Sequence, residues 1–179
     1  MSKKKIFVAV DTNKISRAKR IIRDTQTNKI KIGYKFGLEF FYSKEGRKFI
    51  SSLKNQTIFL DLKLNDIPNT VRSAMKSLKD LKISYLTVHL SSGLSALKAL
   101  KKESKNIKIV GVTTLTSLNN KNLKEIGYNK KVNELVRHQA KLAAKAKLDA
   151  IVCSGHEIRL VKKVFKKEVI TPGIKMKNT

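Results

Sequence analysis

Seven short apolar runs rich in β-branched residues recur along this chain, and segments with helical spacing separate them. The runs are Ile6–Asp11, Lys29–Tyr34, Thr57–Lys63, Tyr85–Leu90, Lys108–Thr114, Ala150–Ser154 and Val169–Gly173. Between them, Val71, Ala74, Met75 and Leu78 form one helical stripe, and Val132, Leu135, Val136, Ala140 and Ala143 another. Regular alternation of strand and helix calls for parallel strands joined by right-handed crossovers, so the chain is either an open doubly wound sheet or a closed barrel. After the first run stands Asp11-Thr12-Asn13 rather than a glycine-rich phosphate turn, which disfavours a dinucleotide-binding sheet.

The carboxyl ends of the runs favour the barrel. Asp11, Lys31, Asp61 with Lys63, His89, Thr113 to Ser117, Ser154 and Thr171-Pro172-Gly173 would converge on one rim, where a (β/α)8 barrel builds its active site. The expected fold is therefore an α/β barrel of the TIM type, incomplete, with about seven strands present in one domain spanning 1–179. Its 179 residues fall short of the ~250 usual for that fold. The expectation is a C-terminally truncated barrel lacking its eighth strand.

Composition removes several function classes. One cysteine, Cys153, excludes an intramolecular disulfide, and His89, His138 and His156 have no metal-ligand spacing with it. The expected protein is cytoplasmic, reduced and metal-free. No segment is apolar for long enough to span a bilayer. The net charge of +27 invites a nucleic-acid reading. Against it, the basic residues are mostly lysines scattered over the whole chain with few aromatics beside them, which fits a solvated coat and long-range steering of an anionic ligand.

The densest chemistry lies in Asp61-Leu62-Lys63-Leu64-Asn65-Asp66. Strand alternation would put Asp61 and Lys63 on one face, bracketing an ammonium between carboxylates. Ionic groups at the inner end of an apolar strand are costly to desolvate, and they point to use. The plainer reading is an ion pair with Asp66 capping a helix that has Pro68 in its first turn. The two are compatible.

The longer segment Phe59-Leu60-Asp61-Leu62-Lys63-Leu64-Asn65-Asp66-Ile67-Pro68-Asn69-Thr70-Val71 closely resembles the signature of the orotidine 5′-phosphate decarboxylases. Val8-Ala9-Val10-Asp11, Lys31-Ile32-Gly33, Val88-His89-Leu90-Ser91-Ser92-Gly93, Val112-Thr113-Thr114-Leu115-Thr116-Ser117, Val152-Cys153-Ser154 and Thr171-Pro172-Gly173-Ile174 resemble that family's other strands in order.

The resemblance implies cofactor-free conversion of orotidine 5′-monophosphate to uridine 5′-monophosphate and carbon dioxide. It makes Lys63 the proton donor to C6 and puts Asp61 beside the departing carboxylate. Asp11 and Lys31 would hold the ribose hydroxyls, and Thr116 the pyrimidine ring. Asp66, Ile67 and Thr70 would complete the site of a neighbouring subunit, which implies a homodimer. Asp61, Asp66 and Lys31 would form an alternating-charge array about Lys63, and negative neighbours favour the ammonium form that donates the proton.

Lys175 stands where the family usually has Arg and would offer the phosphate a point charge instead of a fork. Further phosphate-gripping residues of the family would lie beyond Thr179, so low activity is expected of the chain alone. The alternatives are a magnesium-dependent sugar-phosphate decarboxylase or aldolase of the same wider group, an inactive truncated barrel, and a basic nucleic-acid-binding protein. The sugar-phosphate enzymes generally carry Glu at the position assigned to Lys31. His89 reads as a packed rim residue, His138 as solvated, Cys153 as core, and Ser154 lacks the surroundings of a nucleophile elbow.

Overall fold

The computed structural model describes residues 5–173. Among these, seven strands form one sheet in the order β1 to β7, the order of a (β/α) barrel, with helices between successive strands. Every strand pair with a resolved register is parallel. The barrel is incomplete, with seven strands among the described residues. The chain divides into two compact units: residues up to Leu62 with Lys76–Leu86, and Lys63–Met75 with the residues from Thr87 onward.

The first unit holds β1 (Lys5–Ala9), α1 (Ile15–Asp24), β2 (Lys31–Gly37), α2 (Leu38–Phe41), α3 (Gly46–Ser52) and most of β3 (Thr57–Leu64). Aromatic rings fill its core. Phe7, Phe59 and Tyr85 meet at 5.0 to 5.6 Å, with both Phe7 contacts edge-on, while Phe36, Phe40 and Phe49 form a second cluster. Edge-on and tilted contacts of this kind add to the area that the rings bury. In the β1–β2 register Phe7 faces Gly33, and a Cβ at Gly33 would lie 2.7 Å from the Phe7 ring. Only glycine leaves that ring its place.

The second unit holds the first part of α4 (Pro68–Ser77), the end of β4 (Tyr85–His89), α5 (Gly93–Glu103), β5 (Lys108–Val112), α6 (Asn120–Glu125), α7 (Val132–Lys145), β6 (Ala150–Val152), α8 (Ile158–Val164) and β7 (Glu168–Ile170). The buried face of α7 is Leu135, Val136, Gln139, Ala140 and Ala143, which is the expected stripe without Val132, only half-buried, and with one polar residue added. Asp149, ahead of β6, accepts from Lys101 Nζ at 2.6 Å and from the Ile109 N–H at 2.9 Å, tying α5 to the start of β5.

Three features depart from what spacing along the chain suggests. β2 ends at Gly37, not Tyr34, because Lys35 and Gly37 continue the strand in register with β1 and β3 while Phe36 is buried. The stretch from Ser117 to Lys131, which belongs to none of the strand runs or helical stripes, holds α6. Asn119 caps α6, its side chain accepting from the N–H groups of Lys121 and Asn122, and the Asn122 side chain accepts from the Asn119 N–H. This is a capping box built from two amides, without the Ser/Thr and Glu/Gln that usually mark one. The third concerns Asp66. α4 does begin at Pro68, but Asp66 lies one position before the residue that caps it, and its Oδ1 accepts from the Ile67 N–H at 2.7 Å.

Candidate active site

In the first unit the carboxyl ends of β1, β2 and β3 bring one cation between two anions. Lys35 Nζ lies 3.7 Å from Asp11 Oδ1 and 3.5 Å from Asp61 Oδ2. The register explains the meeting: Ala9 faces Lys35 across β1–β2, and Gly37 faces Asp61 across β2–β3. The side chains of Lys35 and Asp61 are only 24% and 15% exposed, whereas Asp11 is 70% exposed and open to a ligand. Both separations exceed ordinary hydrogen-bond length, and a partly buried ion pair of loose geometry adds little to stability. Its cost is better explained by a ligand that the charges are placed to meet.

Lys31 does not join this cluster. Lys31 opens β2, exposed, in register with Lys5 at the opposite end of the strand from Asp61. Four residues of strand put it about 13 Å from Lys35. The lysine beside the carboxylates is Lys35. The sequence carried a signal for it: Lys31-Ile32-Gly33 and Lys35-Phe36-Gly37 repeat the same Lys-apolar-Gly pattern, and only the second is followed directly by helix.

The second unit holds the other expected site residues among those described. Lys63, half-buried in β3, has φ +49°, a left-handed conformation that costs a non-glycine residue roughly 1–2 kcal/mol. Its N–H donates to Thr87 Oγ1 at 2.7 Å. Strict two-residue alternation therefore fails at Lys63, and the face that its side chain takes is not given by counting from Asp61. Nearby, Asn65 Oδ1 accepts from Ser92 Oγ at 2.9 Å and from Ser91 Oγ at 3.4 Å. Asp66, Ile67 and Thr70 are exposed around the start of α4, with Ile67 65% exposed. Thr116 is exposed in the turn after β5.

That turn is anchored from beneath. Gln139 Oε1, buried on α7, accepts from the Thr114 N–H at 2.8 Å and from Thr114 Oγ1 at 3.2 Å. Neither Thr87 nor Gln139 drew attention in the sequence, because a lone Thr in an apolar strand and a Gln on a helix stripe carry no motif. Lys175 lies outside the described residues.

His138 is exposed, as expected, and His89 is half-buried at the end of β4. Cys153 is buried, and burial, with Glu157 adding a smaller effect, pushes its thiol up to about 11. Such a thiol is an inert core residue, as the sequence suggested. Among the described residues no group of His, Cys, Asp and Glu is arranged to hold a metal ion, and no helix is long and apolar enough to cross a membrane.

Comparison with known proteins decides the family. The family model described as orotidine 5′-phosphate decarboxylase / HUMPS family matches residues 4–179. The chain belongs to this family. Within the orotidine 5′-phosphate decarboxylase / HUMPS family, its relatives include the orotidine 5′-phosphate decarboxylase of Bacillus mycoides (strain KBAB4), 44% identical over 155 residues. The enzyme of the same name from Bacillus cereus (strain AH820) is 39% identical over the same length. These alignments take in 79% of this chain and 65% of each relative, so the chain spans about two thirds of the length of the enzymes it matches.

Among solved structures, orotidine 5′-phosphate decarboxylase from Lactobacillus acidophilus superposes with a TM-score of 0.85 at 30% identity, covering 95% of this chain and 81% of that one. The orotidine 5′-monophosphate decarboxylase of Methanocaldococcus jannaschii, in complex with the inhibitor BMP, has a TM-score of 0.79 at 24% identity, covering 98% and 80%, and supports the fold.

Proposed function

We propose that this chain carries the decarboxylation of orotidine 5′-monophosphate to uridine 5′-monophosphate and carbon dioxide, a step of pyrimidine nucleotide biosynthesis. The observation that carries the reading is the Lys35 ammonium lodged between Asp11 and Asp61, with Lys63 following two residues after Asp61 on β3. Breaking the bond between C6 and its carboxylate leaves the electron pair on a ring carbon with no adjacent sink. A positive charge and a proton source must therefore stand at that carbon.

In this reading the Lys63 ammonium stabilises the developing carbanion and then gives C6 its proton, and the neutral amine recovers a proton from water. Asp61 faces the departing carboxylate, and Lys35 holds it in place. Asp11 and Lys35 take the ribose hydroxyls, the part first assigned to Lys31, and Thr116 takes the pyrimidine ring. Asp66, Ile67 and Thr70 serve the site of a second copy. Their joint exposure, including an apolar isoleucine, supports that part of the reading. The chemistry asks for no metal or organic cofactor, and the enzyme would work in the cytoplasm as a homodimer.

The second reading is a magnesium-dependent sugar-phosphate enzyme of the same family. A divalent cation would need the Asp11 and Asp61 carboxylates, and an ammonium already 3.5 to 3.7 Å from both repels it. The pyrimidine reading is therefore preferred.

The assay is the fall in ultraviolet absorbance as orotidylate is consumed by the full chain, compared with Lys63→Ala. Expected is measurable turnover that the substitution lowers by at least about a thousandfold. Equal rates in the two proteins would end the reading, and so would turnover that depends on added magnesium.

A further inference from the structure

Four non-glycine residues among those described have positive φ: Asn55, Lys63, Lys105 and Lys147. Asn55, Lys105 and Lys147 lie in the turns that lead from a helix into the next strand, where a left-handed residue closes the turn. Lys63 is different, since it lies within β3, where an extended backbone is the norm. A strained conformation persists only where its surroundings over-determine it, and such positions cluster at functional sites.

The geometry points to Thr87 as a positioning residue that holds Lys63 in its left-handed conformation and so sets the direction of the Lys63 amine. Thr87 is fully buried on β4, and its hydroxyl oxygen accepts the Lys63 N–H at 2.7 Å. Both residues belong to the same compact unit. A chain turned out of extended geometry presents its N–H in a direction that a regular ladder does not serve, and a buried N–H without an acceptor is costly. A hydroxyl on the neighbouring strand meets that need at short range. Val has nearly the same shape as Thr but no acceptor, so it would favour return of Lys63 to the extended conformation. That return swings the Cα–Cβ bond and carries the amine away from its working position.

The inference rests on Lys63 being the proton donor, and its test separates the two ideas. Thr87→Val and Thr87→Ser are compared with the unaltered chain by orotidylate kinetics and by the ¹³Cα and ¹³Cβ chemical shifts of labelled Lys63, which report φ. Expected for Thr87→Val is a kcat at least tenfold lower with KM within about twofold, since remote binding is untouched, and Lys63 shifts that move to extended values. Thr87→Ser, which keeps the hydroxyl, retains both the shifts and most of kcat. Should Thr87→Val fail to fold, Thr87→Ala is read the same way. Wild-type shifts and wild-type kcat in the variant lacking the hydroxyl would overturn the inference. Shifts that respond as expected in a chain with no turnover would uphold the positioning role while removing the decarboxylase reading.

Discussion

Lys35 and Asp61 stand on adjacent strands with their charged groups 3.5 Å apart, although 26 positions of sequence separate them and no motif links them. The pair follows from register alone, since Gly37 opposite Asp61 leaves Lys35 two residues back on the same strand. Lys35→Ala is expected to lower kcat/KM for orotidylate by at least about a hundredfold, the usual consequence of removing a fixed charge at a reacting centre. Lys31→Ala, at the far end of β2, is expected to stay within about twofold. Steady-state kinetics on both variants checks the reassignment, and the reverse ranking would restore Lys31.

Gln139 supports the turn bearing Thr116 through the buried Thr114 N–H. Gln139→Leu keeps the apolar stripe of α7 but strands that N–H without its acceptor. A loss of about 1–3 kcal/mol is expected. Urea unfolding of the variant beside the unaltered chain measures it, and an unchanged midpoint would contradict the anchoring role.

Helix α7 ends in a motif that ordinarily uses glycine. The Leu148 N–H donates to the Ala143 carbonyl and the Lys147 N–H to the Ala144 carbonyl, both at 3.0 Å, with Lys147 at φ +58°. These are the paired bonds of a Schellman cap. Lys147→Gly relieves the Cβ clash, less the entropy that a freer unfolded chain gives up, for a net gain of up to about 1 kcal/mol. Thermal unfolding should show a rise of a few degrees at most, and a fall would argue that the Lys147 side chain contributes to the native state.

The Cys153 thiol, raised to about 11 by burial, binds its proton more tightly folded than unfolded, where the ordinary value is near 9. Its contribution to stability is therefore complete below pH 9 and is lost as the pH climbs from about 9 through about 11. Unfolding of the chain and of Cys153→Ala, followed at pH 8 and pH 10.5, should show the larger alkaline loss in the chain that keeps the thiol. Thiol reagents at pH 8 should label Cys153 only after unfolding.

Much of the architecture was legible because it is written in local periodicity. Seven strand runs, the apolar stripes of α4 and α7, and Pro68 at the first turn of α4 are properties of neighbouring residues, and hydrophobic spacing reports them directly. The seven runs end one to three residues away from the observed strand ends, and β2 extends three residues beyond its run, through Lys35, Phe36 and Gly37. That shift left Lys35 outside the run and Lys31 inside it.

By itself, then, the chain's order of residues determined the alternating strand-and-helix architecture and the string from Asp61 to Asp66, since both depend on spacing along the backbone. Which lysine stands between Asp11 and Asp61, which threonine receives the Lys63 N–H, and which glutamine braces the Thr116 turn were decided only by strand register and by a backbone dihedral. The physical reason is that an ammonium or hydroxyl acts over 3 to 4 Å in space. That proximity is created when strands pair and helices pack, and it leaves no period in the sequence.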